Sequence, residues 1–124
     1  GNLTLLTSTL GSKYEIDTRG KILVLEDVEE SPLHVDRMLN QLRLPRKFEG
    51  VAGIVIGSFT YSKLLAQQDS TFDAVFNDYF EKLNVPVVKG FNNDHGEPNF
   101  AIPLGVDALL NGDAKTLTIL PGVE

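Results

Sequence analysis

Apolar residues recur along the chain with two different periods, and the period changes at glycines, prolines and capping side chains. Asn2 precedes Leu3, Leu6 and Leu10, which share one helical face, and Gly11 stands where a left-handed residue would close that helix. Residues 14–16 read as a brief extended stretch before a turn at Asp17-Thr18-Arg19-Gly20. Residues 21–27 place four consecutive apolar side chains between charges, the pattern of a strand buried on both faces. Ser31-Pro32 supplies an N-cap with proline in the first helical position. Val35, Met38, Leu39 and Leu42 then recur at i, i+3, i+4 and i+7, which predicts an amphipathic helix closed by Pro45. Residues 51–57 read as a second buried strand, and residues 60–69 are polar and aperiodic. From Ser70 onward Phe72, Val75, Phe76, Tyr79, Phe80 and Leu83 fall on one face, a helix with an aromatic stripe that Asn84 ends. Residues 85–88 form a third strand with Pro86 near its start. Residues 100–102, 108–110 and 116–120 are short extended candidates, the last two joined by a turn that suits a hairpin.

Strand, helix, strand, helix, strand predicts an α/β fold with a βαβαβ parallel core, right-handed crossovers and additional short C-terminal strands. Residues 1–124 are expected to form a single domain, since 124 residues with 42% hydrophobic and 23% charged content are near globular averages. Eleven basic against seventeen acidic residues give a net charge of −6, and no basic block is present to track a phosphate backbone. Nucleic acid is therefore not an expected partner. The longest apolar runs, 22–25 and 51–56, are far shorter than the ~20 residues of a membrane span, so no membrane association is expected either. With no cysteine, thiolate metal sites and cysteine nucleophiles are excluded, and a cytoplasmic location is permitted. The chain opens on Gly1 with no initiator Met and runs straight into a periodic segment, which suggests a piece of a larger protein.

Ligands of open α/β sheets bind beyond the carboxyl ends of the strands. Three places qualify: Glu26-Asp27, Ser58-Phe59, and residues 91–99, which hold Asn92, Asn93, Asp94, His95, Glu97 and Asn99. If the strands lie side by side, Glu26 and His95 emerge on one rim, and a carboxylate beside an imidazole fixes its tautomer and stabilises the imidazolium. The plainer readings stand beside this one. Glu26 and Asp27 also suit a solvated loop start or, for Asp27, a cap on the next helix. His95 also suits an ordinary surface position, as does His34. No metal is expected, because neither a His-x₃-His nor an EF-hand spacing occurs. No serine stands in G-x-S-x-G, so the dyad has a base and an orienting acid but no attacking group.

Four ordered segments resemble the C-terminal domain of the LD-carboxypeptidases, the serine peptidases that include muramoyltetrapeptide carboxypeptidase and the microcin immunity peptidases. They are Gly1-Asn2-Leu3 with Leu5-Leu6 and Gly11; Lys21-Ile22-Leu23-Val24-Leu25-Glu26-Asp27-Val28 with Glu30, Pro32, Asp36-Arg37-Met38-Leu39 and Gln41-Leu42; Gly53-Ile54-Val55-Ile56-Gly57-Ser58-Phe59; and His95-Gly96-Glu97-Pro98-Asn99 with Ile102-Pro103-Leu104-Gly105. The resemblance spans nearly the whole chain and implies a swivelling-type C-terminal domain, the catalytic half of a two-domain enzyme. It implies a Ser–His–Glu triad in which Glu26 is the acid and His95 the base, the serine and oxyanion donors lying in an N-terminal domain outside this chain. The chain departs from the family at Asp94 and Glu29, where glycines are usual.

The activity so implied is hydrolysis of the amide between an L-residue and a terminal D-amino acid, typically D-Ala of a murein tetrapeptide in cytoplasmic peptidoglycan recycling, without a cofactor. The expected partners are a murein-derived peptide, the N-terminal domain and, through a partly apolar cut surface, a second copy as a homodimer. The same architecture serves immunity enzymes that cleave peptidyl-adenylate antibiotics, with residues 60–69 a candidate specificity loop. A competing reading is a non-catalytic binding or assembly module.

Overall fold

The computed structural model describes residues 1–59, 68–89, 107–112 and 116–119. In chain order they form α1 (Leu3–Ser8), β1 (Ile22–Asp27), α2 (Pro32–Arg43), β2 (Gly53–Phe59), α3 (Gln68–Phe80), β3 (Val87–Lys89), β4 (Ala108–Asn111) and β5 (Thr116–Ile119). Strands β1, β2 and β3 lie side by side in that order, all parallel, and β4 pairs antiparallel with β5. This is the expected α/β core with a C-terminal hairpin; the candidate strand at residues 100–102 lies outside the described residues. Because successive crossovers advance in one direction across the sheet, the right-handed rule puts α2 and α3 on the same face. The core bears this out. Leu23 and Leu25 of β1, Ile54, Ile56 and Phe59 of β2, Val35, Leu39 and Leu42 of α2 and Phe72, Phe76 and Phe80 of α3 form one buried cluster, which Leu3 of α1 joins.

Each helix is built as its local chemistry requires. Ser31 caps α2, its hydroxyl accepting from His34 N at 3.2 Å, and Pro32 occupies the first turn, where its missing N–H is harmless. At the other end Lys47 N donates to Leu42 O at 2.9 Å while Arg46 turns left-handed at φ 63°, a Schellman-type closure. The aromatic stripe of α3 runs as a ladder: Phe72, Phe76 and Phe80 stack at centroid spacings of 6.3 and 6.2 Å. Phe59 from β2 meets Phe76 at 4.9 Å, and Phe48 from the α2–β2 connection meets Phe80 at 5.2 Å, both edge to face.

Several boundaries differ from the sequence reading. Helix α1 stops at Ser8, well before Gly11, because the hydroxyls of Thr7, Ser8, Thr9 and Ser12 each bond a carbonyl three residues back and draw it away from the helical ladder. Gly11 still adopts a left-handed φ of 85° in the turns that follow. Residues 14–16 are not a strand. Among the described residues no strand pairs with them, and side chains hold this stretch and the turn after it: Glu15 pairs with Lys47, and Thr18 Oγ1 donates to Lys47 O at 2.5 Å. Strand β3 starts two residues later than expected: Pro86 has no N–H to donate, although its carbonyl accepts from Ile54 N at 2.9 Å at the entry.

The two faces of the sheet are unequal. In β1 only the helix-side residues Leu23, Leu25 and Asp27 are buried, and Ile22, Val24 and Glu26 opposite them are half-buried, so the expectation of burial on both faces fails for this strand. In β2 it succeeds, with residues 53–56 all buried. Val24, Val55 and Val88 stand in register across the face away from the helices. The β4–β5 hairpin reaches the start of β2 at Gly53, where an added Cβ would lie 2.6 Å from Leu110 Cδ2 and 3.2 Å from Pro86 O. A larger residue there would have to displace the end of the Leu110 side chain and press on the Pro86 carbonyl.

Candidate active site

Glu26 is the penultimate residue of β1, at the carboxyl end of a parallel sheet. Two irregularities surround it. On its inner side the β1–β2 register slips: Leu25 pairs with Ile56 but Asp27 with Phe59, so β2 carries one extra residue between those positions. A bulge of this kind re-aims a strand end. It returns Phe59 to the helix side, in line with Ile54 and Ile56, and leaves Ser58 half-buried. On its outer side Glu26 meets the chain start. Asn2 forms a single parallel bridge with Glu26, Glu26 N donates to Gly1 O at 3.3 Å, and Gly1 N donates to Val24 O.

The neighbouring carboxylate has a different environment. Asp27 is 4% exposed. Its Oδ1 accepts from Asn2 Nδ2 at 3.1 Å and Val28 N at 2.9 Å, and its Oδ2 from Thr4 N at 3.0 Å and Thr4 Oγ1 at 2.6 Å. Asn2 Oδ1 meanwhile accepts from Leu5 N at 3.0 Å. Asp27 and Asn2 thus share the free N–H groups at the start of α1. The capping role expected for Asp27 is real, but the helix it serves is the preceding one, because Ser31 already caps α2. Consecutive strand residues project to opposite faces. One carboxylate is consequently buried and saturated with donors, while the other stays half-buried on the face away from the helices.

Other acids and bases of this rim, among the described residues, have partners. Glu30 Oε2 lies 3.2 Å from His34 Nδ1, and His34 is exposed, the plain surface position expected of it. Lys89, the last residue of β3, pairs with Asp73 of α3 on the helix side. His95, with Asn92, Asn93, Asp94, Glu97 and Asn99, lies outside the described residues. Among the described residues no three His, Cys, Asp or Glu side chains are grouped to hold a metal ion, and no helix is long and apolar enough to cross a membrane. Sequence reasoning missed the tie between Asp27 and the Asn2–Thr4 segment, and the extra residue in β2. The Gly57-Ser58 step inside an apolar run was the one signal for the latter.

Comparison with known proteins is consistent with this architecture. Residues 1–110 match the model of the LD-carboxypeptidase C-terminal domain. The chain is 43% identical over its whole length to a probable murein peptide carboxypeptidase of Bacillus subtilis (strain 168), of which it spans 39%. It is 29% identical to the microcin C7 self-immunity protein MccF of Escherichia coli, covering 96% of this chain and 35% of that protein. Among solved structures, muramoyltetrapeptide carboxypeptidase from Oxalobacter formigenes superposes with a TM-score of 0.76 at 29% identity, over 96% of this chain and 41% of the other. The chain thus spans about two fifths of the length of these relatives. A parallel three-stranded sheet with both crossover helices on one face, an acidic pair closing its first strand, and a family match over residues 1–110 together make the chain a member of the LD-carboxypeptidase family, corresponding to its C-terminal domain.

Proposed function

We propose that this chain is the C-terminal half of a two-domain serine carboxypeptidase that releases a terminal D-amino acid from an L,D-linked murein tetrapeptide in the cytoplasm, with Glu26 and His95 as acid and base of its triad. The observation that carries the reading is the position of Glu26, half-buried at the carboxyl rim of the sheet beside a buried, fully engaged Asp27. Among the described residues Glu26 is the carboxylate of this pair not taken up by the hydrogen bonds that hold Asp27. Strand β3 ends at Lys89 on the same rim, two strand spacings or about 10 Å from β1. The six residues from Lys89 to His95 can span up to about 20 Å, so an imidazole at His95 has the reach to meet Glu26.

The chemistry follows from that pairing. Neutral His95 takes the proton of a serine hydroxyl supplied by the N-terminal domain, the alkoxide attacks the L,D-amide carbonyl, and the imidazolium hands its proton to the departing D-amino acid. Water then releases the acyl group by the same route in reverse. Glu26 holds the ring and offsets its positive charge. The stronger likeness to a murein peptide carboxypeptidase than to MccF supports a murein peptide over a peptidyl-adenylate as substrate.

The test is release of D-Ala from an L,D-linked tetrapeptide by the full-length protein. His95→Ala should lower kcat by several orders of magnitude, with Glu26→Gln less damaging because a residual imidazole still acts as base. His34→Ala should leave turnover unchanged. Equal kinetics for the His95 and His34 variants would defeat the assignment, and preferential turnover of an aminoacyl sulfamoyl or peptidyl adenylate would move the protein to the immunity branch.

A further inference from the structure

We propose that Asp27 is a positioning residue for Glu26, acting with Asn2 and Thr4 as a clamp that sets the direction of the acid's side chain. The proposal rests on the reading of Glu26 as the triad acid. The backbone at Glu26 is weakly held by the sheet itself. Its inner ladder is interrupted by the register slip between Leu25 and Asp27, and its outer neighbour contributes one bridge through Asn2. A strand end in that condition is free to twist, and a twist there would swing Glu26 away from the sheet face it shares with Val24.

The constraint comes from the next residue. Asp27 is buried on the helix side and takes four hydrogen bonds from Asn2, Thr4 and Val28, all charge-assisted and so stronger than neutral ones. Turning the strand at Glu26 would break the three that come from Asn2 and Thr4. Because adjacent side chains leave a strand on opposite faces, locking Asp27 on one face locks Glu26 on the other. The same Asn2 that bonds Asp27 forms the bridge to the Glu26 backbone, so clamp and acid move together. Glu26 makes none of these side-chain bonds itself. Asp27 therefore acts only through geometry.

The experiment measures kcat, KM and the pH dependence of kcat/KM for D-Ala release by the full-length protein. Asp27→Asn replaces one accepting oxygen by a donor, and should lower kcat about tenfold to hundredfold while KM changes less than about twofold. A displaced Glu26 supports the imidazolium less, so the acid limb of kcat/KM should move to lower pH. Thr4→Val removes one bond and should cause a smaller loss in the same direction; Thr4→Ser, which keeps the hydroxyl, should recover most of it. In a Glu26→Gln background Asp27→Asn should cost nothing further, since its only route is already cut.

Unchanged kcat and acid limb per folded molecule in Asp27→Asn and Thr4→Val, with lowered thermal stability alone, would reduce Asp27 to a structural cap. If Asp27→Asn fails to fold, Thr4→Val decides the question alone. Wild-type turnover by Glu26→Gln would overturn the reading of Glu26 and the clamp with it, whereas a crippled Glu26→Gln beside unaffected Asp27→Asn and Thr4→Val would overturn the clamp only.

Discussion

Glu29 has a backbone φ of 58°, in the left-handed region where a Cβ is crowded by its own carbonyl. It sits in the short connection from β1 to the Ser31 cap. A glycine would adopt this conformation without that crowding. Glu29→Gly should stabilise the fold by about 1 kcal/mol relative to Glu29→Ala, which keeps the Cβ but loses the carboxylate, as read from urea midpoints. Equal midpoints would show that the turn is not strained. At this scale the sequence was informative about Glu26, because the end of a buried apolar run next to a charge marks a rim position. It was silent about what Asp27 does. Its partners Asn2 and Thr4 are 25 and 23 residues away, and each looks like an ordinary helix-start residue until the strand is folded beside it.

Helices α2 and α3 are joined by a polar contact as well as by the core. Tyr79 donates its hydroxyl to Asp36, with Oδ1 at 2.5 Å and the backbone O at 2.8 Å. Partial burial, then the hydrogen bond and charge of Asp36, push the phenol up from 10.0 to about 12. A raised acid binds its proton more tightly in the folded state, so this contribution is complete below pH 10 and is lost as pH rises from 10 to about 12. Unfolding of Tyr79→Phe followed between pH 9 and 12 should show a flatter alkaline decline than the parent, and a loss near neutral pH of about 1 kcal/mol, the site being largely solvent-screened. Parallel declines would exclude the tyrosine. Elements with strong periodicity and explicit caps, such as α2, were legible to within a residue. The extra residue in β2 was not, because Ile54, Val55 and Ile56 are all apolar and an all-apolar run keeps no record of which face each residue takes. Residues 14–16 misled for the opposite reason: their order comes from Lys47, far along the chain.

At the scale of the whole molecule the described residues are asymmetric, with three helices and the aromatic cluster on one face of the sheet and Glu26 on the other. The buried cluster is self-contained, and the 124-residue chain alone should unfold cooperatively in urea. On the proposed function it should release no D-Ala until the N-terminal domain is added, since a proton shuttle without a nucleophile and oxyanion donors has nothing to activate. Turnover by the chain alone, abolished by Ser58→Ala, would place the nucleophile here instead. The short segment Gly1-Asn2 has one more effect. Among the described residues the parallel sheet has three strands, and its border at β3 is only three residues long. The border of β1 is the hazardous one, because Ile-Leu-Val-Leu is a strongly β-forming stretch whose free N–H and C=O groups could template another chain. Gly1 and Asn2 occupy that border at Val24 and Glu26. Deleting residues 1–4 would uncover it and should promote aggregation of the chain.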